Sequence, residues 1–534
     1  MNLAVGITEW LPQWRIILDQ LGLPAALVDL HQSVQPDRYG AIIVTGRLGE
    51  EDRSNLLNYL TGGGAILVEA DVGEWLLGTG TFPSFVKYVD PVDDPLYHQV
   101  VPGSVDARLL LPSLGTRLNS DSLKPLVRIV TRGDGIALVL PGLFSRVILD
   151  SRSRRRNFPS PGPGLPSERV ARPSKGTFRS IIEQSLEHLF FHRGLPMVSL
   201  WPFPNGESTL FAFRVDTDFA SGQEVEALAA ICQQHDIPAT WFLETASGGE
   251  YLEEIAGLER QEIGVHCARH RVFRDYVKNE RNIFQALGVL SREGIRPHGY
   301  AAPFGLWNAA LAMAVEHHGF TYSSEFTLDY DDAPFYPYLE DRFSTVLEVP
   351  IHPITTGHLR NAHHSDDDMK QYWRHRIEEH QKYRLPLMVY DHPSQANLKV
   401  LNWLFREIRQ RKIPILPILD YARWWIQKTS VAWRVKLEDD TLRIHSTSED
   451  SSLWLSIRKS PGEQARIRIN KSISLKGLQW EKVDPGPLKR TPMALLRTVN
   501  RKMIVNDILN RYWRLRSARR GYQESSGGRG QRQG

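Results

Sequence analysis

A chain of 534 residues is too long for one ordinary hydrophobic core, so two or more domains are expected. Its 41% hydrophobic and 24% charged residues are an ordinary globular balance. Two cysteines, Cys232 and Cys267, exclude a disulfide framework beyond a single bridge and suit a reducing compartment. The opening "MNLAVGITEWLPQWRIILDQ" lacks a basic segment followed by an unbroken apolar run, so no signal peptide is expected. No run of about 18 apolar residues occurs, which excludes a spanning helix. The formal charge of +4 is concentrated from Lys489 onward, leaving the rest mildly acidic. Nucleic-acid binding would rest on that tail alone and is not expected.

Residues 1–145 alternate strands and helices. "NLAVGI", "AALVDL", "YGAIIVTG" and "AILVEA" read as strands; "WLPQWRIILDQLG" and "EEDRSNLLNYLTGGG" read as helices closed by glycines. The rhythm predicts a doubly wound, parallel α/β domain. Its order resembles class I glutamine amidotransferase-like domains, whose elbow after such a strand carries a cysteine. Here the turn reads "VTGRLG", with Thr45, Gly46 and Arg47, and no cysteine precedes Cys232. The domain is therefore expected to be a structural or binding module without a nucleophile.

Residues 146–204 are expected to be a linker and a connecting helix. The stretch 151–177 is rich in Pro, Ser, Gly and Arg and reads as exposed. "FRSIIEQSLEHLFFHRG" reads as an amphipathic helix. From 205 to 428, "TLFAFRV", "ATWFLE", "EIGVH", "PHGYAA", "TYSSEF", "TVLEVP", "PLMVY" and "IPILPI" alternate with helical segments, which predicts a closed or nearly closed β/α barrel. Asp216, Asp218, Glu244, His266, His270, His352, Asp391 and His392 all fall just after these strands, where barrels of this kind place their functional groups. Residues 429–488 alternate apolar and polar positions and predict a small antiparallel β unit. In the basic tail, 489–534, Leu496, Val499, Met503, Ile504 and Ile508 recur at helical spacing among arginines. Two readings stand: a helix packed on the β unit followed by a disordered tail, or a basic amphipathic helix lying on an anionic membrane. The expectation is a cytoplasmic protein with weak, salt-sensitive membrane contact.

The chemistry concentrates in two places. "FAFRVDTDFASG" ends a buried strand with Asp216 and Asp218, and such carboxylates are costly there unless something offsets their desolvation. "EIGVHCARH" sets His266 and His270 four apart, which on a helical turn would turn both imidazoles to one ion, with Asp218 as the natural third ligand.

These motifs resemble the polysaccharide deacetylase family, carbohydrate esterase family 4, over residues 205–428. The family pairs a base aspartate with a metal-binding aspartate, matched by Asp216 and Asp218. Its H-[S/T]-x-x-H motif is matched by His266 and His270, with Cys267 in place of the hydroxyl residue. Its R-x-P-[F/Y]-G motif is matched by "AAPFG", with Ala301 in place of the arginine. Its late histidine is matched by His392 in "VYDHPS". The resemblance implies a (β/α) barrel that removes N-acetyl groups from an acetylated glycan. A divalent metal, zinc first, would be held by Asp218, His266 and His270. Asp216 would be general base and His392 general acid, with a backbone N–H near Phe304 helping the oxyanion and Asp391 or Asp275 orienting histidines. The family's arginine resembles a brace for the base. Its loss at Ala301 implies weak activity, another cation such as Arg214 or Arg269 in its place, or a binder without catalysis. A silent carbohydrate-binding or scaffold protein, or another amidohydrolase on the same barrel, therefore stands as the alternative.

Overall fold

The computed structural model describes residues 1–482 except 90–95, 98, 116, 120–123, 247–251, 253, 254, 256, 258 and 259. The basic tail expected at 489–534 lies outside the described residues.

The N-terminal sheet has seven strands in the order Ala25–Leu27, Val5–Ile7, Ala41–Val44, Ala65–Glu69, Gly135–Leu140, Pro125–Arg132, Arg117–Asn119. The first five are parallel and the last two run antiparallel at one edge. Val5–Ile7, Ala41–Val44 and Gly135–Leu140 are buried at every residue, as strands covered on both faces must be. Pro12 opens the helix Pro12–Leu21 and Gly22 ends it at φ 64. The backbone carbonyl of Leu200 lies 2.7 Å from where a Gly22 Cβ would stand, so a side chain there would break the junction with the strand Met197–Leu200.

The barrel region is an all-parallel seven-stranded sheet in the order Leu347–Glu348, Tyr322–Ser323, Gly299–Tyr300, Glu262–Cys267, Thr240–Glu244, Phe211–Asp216, Leu387–Asp391. The first and last strands of that order do not pair, so the barrel is open on one side. There His352 N–H donates to the Met388 carbonyl at 2.8 Å. Each strand is short and almost wholly buried, and its C-terminal end carries the polar residues.

Two regions differ from the sequence reading. Residues expected as an exposed linker instead form an antiparallel hairpin, Ser153–Asn157 with Ser167–Ala171. Composition misled because the hairpin's charges are paired and its apolar residues are anchored. Arg154 and Arg156 meet Asp106 at 3.1 and 3.2 Å, Glu168 meets His358 at 2.7 Å, and Phe158 and Val170 are buried in the barrel core. The helix that follows, Lys175–His192, packs Phe178, Ile182 and Phe190 into the N-terminal core, while Arg179 reaches Asp332 on the barrel side at 2.8 Å. The C-terminal β unit is also not self-contained. Trp433–Glu438, Thr441–Ser446 and Ser472–Ser474 form one sheet, whereas Trp454–Ser460, Glu463–Arg468 and Glu481–Lys482 form a second with Met197–Leu200 from before the barrel.

Candidate metal centre

Arg214 and Asp216 are two apart on one strand, so they share a face. Arg214 is fully buried and grips Asp216 with two parallel bonds: Nε donates to Oδ1 at 2.6 Å and Nη2 to Oδ2 at 2.7 Å. Its Nη1 donates to the Ser324 carbonyl at 2.7 Å, and Phe242 and Tyr390 flank the guanidinium at 5.1 and 5.4 Å. Burial pushes the Asp216 carboxyl up, but the Arg214 guanidinium outweighs it and holds the group below the ordinary carboxylate value. Asp216 is therefore an anion at neutral pH. Arg214 supplies a cation to the base where the resemblance expects an arginine at 301.

Asp218 follows in the turn after the strand and faces three imidazoles. Its Oδ1 lies 3.6 Å from His266 Nε2 and 3.6 Å from His392 Nε2, and its Oδ2 lies 3.4 Å from His270 Nε2. The ligand atoms of Asp218, His266 and His270 lie within 4.8 Å of one another, and so do those of Asp216, Asp218 and His392. Asp218 is the residue the two groups share.

The two histidines do not sit on a helical turn. His266 ends the strand Glu262–Cys267 and His270 lies in the bend that follows, with ring centroids 5.2 Å apart. Asn282, buried on the helix Tyr276–Arg292, shapes that bend. Its Oδ1 accepts the Arg269 N–H at 2.8 Å and its Nδ2 donates to the Arg269 and Arg271 carbonyls. Tertiary contact, rather than helical periodicity, brings the pair together.

His266 Nδ1 is 2.7 Å from the Ala301 carbonyl, an acceptor, so Nδ1 carries the proton and Nε2 presents a lone pair toward Asp218. The 301–305 loop is held in turn by Glu325, whose Oε1 accepts the Ala302 N–H at 3.1 Å. Burial pushes His266 down to about 4, and burial with the neighbouring His266 does the same to His270. Both are neutral at pH 7, the form that ligates a metal.

The donor set fits a divalent cation. Asp218 Oδ1 and His266 Nε2 are buried and face each other, yet neither has a hydrogen-bond partner among the described residues. Such atoms are rare in folded proteins and call for a missing partner. One carboxylate and two neutral imidazoles suit zinc, while other divalent ions accept the same set.

A second cluster provides the contrast. Asp331, His352 and His380 also bring their polar atoms within 4.8 Å. There, however, His352 Nδ1 lies 2.9 and 3.0 Å from the two Asp331 oxygens, its Nε2 lies 2.7 Å from Tyr372 Oη, and His380 Nδ1 lies 2.9 Å from the Pro386 carbonyl. The cluster reads as a buried hydrogen-bond network. His352 belongs to it and not to the first site.

Other sequence expectations find their places. Asp391 Oδ2 accepts the Thr356 N–H at 3.0 Å and its Oδ1 accepts the His392 backbone N–H at 2.9 Å, so it anchors the residue and not its ring. Asp275 caps the helix Tyr276–Arg292 through the Lys278 N–H and orients no histidine. In "HHSDDD", Ser365 caps the helix Asp366–Tyr383 and the three aspartates occupy its first turn, where the helix dipole favours them. Sequence reasoning missed Ser324, Glu325, Asp331 and His380, which carry no spacing signal. Cys232 and Cys267 are both buried free thiols.

No protein-family model matches the chain, and no curated protein does. Among solved structures, it is similar to the Puue allantoinase (16% identity over 42% of this chain and 92% of that one, TM-score 0.36). It is similar also to a carbohydrate esterase family 4 pseudoenzyme from Bacillus anthracis (13%, 41% and 66%, TM-score 0.30). A third is a family 4 carbohydrate esterase from Streptomyces lividans (14%, 39% and 92%, TM-score 0.29). Likenesses this distant decide nothing about the chemistry, which the side chains themselves must carry.

Proposed function

We propose that the chain is a metal-dependent hydrolase that removes N-acetyl groups from an oligosaccharide or polysaccharide. The carrying observation is the pair of buried, unpartnered atoms Asp218 Oδ1 and His266 Nε2, 3.6 Å apart, with ionised Asp216 and His392 on the same carboxylate's other side. Asp218, His266 and His270 would hold the ion, which when bound polarises a carbonyl and acidifies a water. Asp216 accepts the proton that the attacking water loses as its oxygen bonds to the acyl carbon. His392 Nε2 delivers a proton to the sugar nitrogen as the C–N bond breaks, leaving acetate and an amine. Arg214 keeps Asp216 ionised and fixed in direction. Metal analysis of the purified chain with acetate release from a panel of acetylated glycans tests this reading. A chain without stoichiometric metal, or with metal but no acetate release from any glycan, ends it.

The second reading, a carbohydrate binder without turnover, is favoured by the same Arg214. Both oxygens of Asp216 are engaged by one guanidinium and its carboxyl is held low, which weakens it as a base. We further propose a structural or binding role for the N-terminal domain. The turn after Ala41–Val44 supports it: the Thr45 N–H donates to Thr8 Oγ1 at 3.0 Å, and the two hydroxyls tie neighbouring strand ends at 3.1 Å. Among the described residues no helix is long and apolar enough to cross a membrane. A cytoplasmic protein with salt-sensitive membrane contact through the basic tail remains our proposal.

A further inference from the structure

Two phenylalanines stand at the mouth of the metal centre with their rings largely in water. Phe219, directly after Asp218, is 70% exposed, and Phe304 is 37% exposed. Their rings bracket one metal-ligand candidate: the His270 ring centroid lies 5.1 Å from Phe219 and 4.5 Å from Phe304, at interplanar angles of 68° and 64°. Both residues have left-handed backbones, with φ 57 at Phe219 and φ 59 at Phe304. That region suits glycine or asparagine and is uncommon for a bulky residue. The fold thus asks for a small residue at both positions, and core packing does not explain the Phe219 ring. Outliers of this kind collect where a ligand uses the side chain.

We propose that Phe219 and Phe304 form an aromatic clamp that stacks on the ring carrying the acyl group, and that the clamp sets the substrate class as a pyranoside. This rests on the deacetylase reading. A pyranose offers an apolar C–H face to a phenyl ring and keeps its hydroxyls in water, which an open mouth permits. The polar residues below, Asp216, Asp218 and His392, then receive the acetamido arm. Aromatic rings give large contact area for little lost side-chain freedom, and a few polar groups fix orientation. A wholly apolar ligand would need a closed apolar wall, whereas these two rings flank charged groups.

The test uses the full, metal-loaded chain with an N-acetylhexosamine tetrasaccharide and with ethyl acetate, an acetyl donor that has no ring. Glycan affinity is measured by calorimetry, and acetate release is followed for both compounds. Phe219→Ala is expected to keep one metal per chain and to bind the tetrasaccharide about tenfold more weakly. Its loss in kcat/KM should be about tenfold greater for the tetrasaccharide than for ethyl acetate, through KM. Phe219→Trp should restore glycan binding. Unchanged glycan affinity in Phe219→Ala, or equal losses on the two compounds, overturns the clamp. A wild-type chain that binds the glycan in a Phe219-dependent way but releases no acetate keeps the clamp and ends the hydrolase reading. One that releases acetate with Phe219→Ala unaffected does the reverse. A wild-type chain that neither binds nor hydrolyses the glycan overturns both.

Discussion

Replacing Arg214 by Met removes the cation from the most enclosed charge pair of the site. Arg214 is fully buried and Asp216 nearly so, and two bonds of 2.6 and 2.7 Å join them. Breaking a buried pair from one side leaves the other charge without a partner and typically costs about 3–5 kcal/mol. For a domain of this size that corresponds to a melting temperature lower by about 10 °C. The direction with pH follows from Asp216. In the wild type its carboxyl is held low, so the pair's contribution is present above the ordinary carboxyl value and fades as pH falls through the lowered one. In Arg214→Met burial is unopposed, the carboxyl moves up, and the destabilisation grows as pH rises. Arg214→Met with Asp216→Asn removes both charges and should recover a large part of the loss, whereas two independent sites would add. Thermal unfolding by circular dichroism at several pH values reads all of this. A single variant whose loss is the same at every pH, together with a double variant that melts no higher, would refute the reasoning.

The remaining predictions concern the site and its surroundings. His266→Ala should abolish stoichiometric metal, measured by elemental analysis; unchanged content would sink the ligand assignment. Asp216→Asn should keep the metal and lose about 10² to 10⁴ in acetate release, and if the metal leaves instead, the two aspartates have each other's roles. His352→Ala should lower the melting temperature without changing the metal count, because its cluster is a hydrogen-bond network; a lost equivalent of metal would show that it binds an ion. The full chain should sediment with anionic liposomes at low salt more than a chain ending at Pro487 does, and equal sedimentation would remove the tail as a membrane contact.

The one-dimensional pattern was enough to announce the elements around the site. Strands such as Phe211–Asp216 and Leu387–Asp391 are buried apolar runs that end in polar residues, and a buried run bounded in this way is visible in sequence. The motif order also named Asp216, Asp218, His266, His270 and His392, which the fold gathers around one carboxylate. What the sequence could not determine depends on which distant groups meet. The arginine two residues before Asp216 became its brace only because Ser324, Phe242 and Tyr390, far away in the chain, enclose it. The four-residue histidine spacing suggested a helix, yet Asn282 pins a bend there instead. The arginine-rich stretch 151–177 looked unable to fold because composition records charges and not their partners, and Asp106 lies about as far from it in sequence as a separate element can. Local periodicity is set by each residue's neighbours along the chain, so sequence determines it. Desolvated charge is tolerated only where a specific partner meets it, and that partner is supplied by tertiary structure alone.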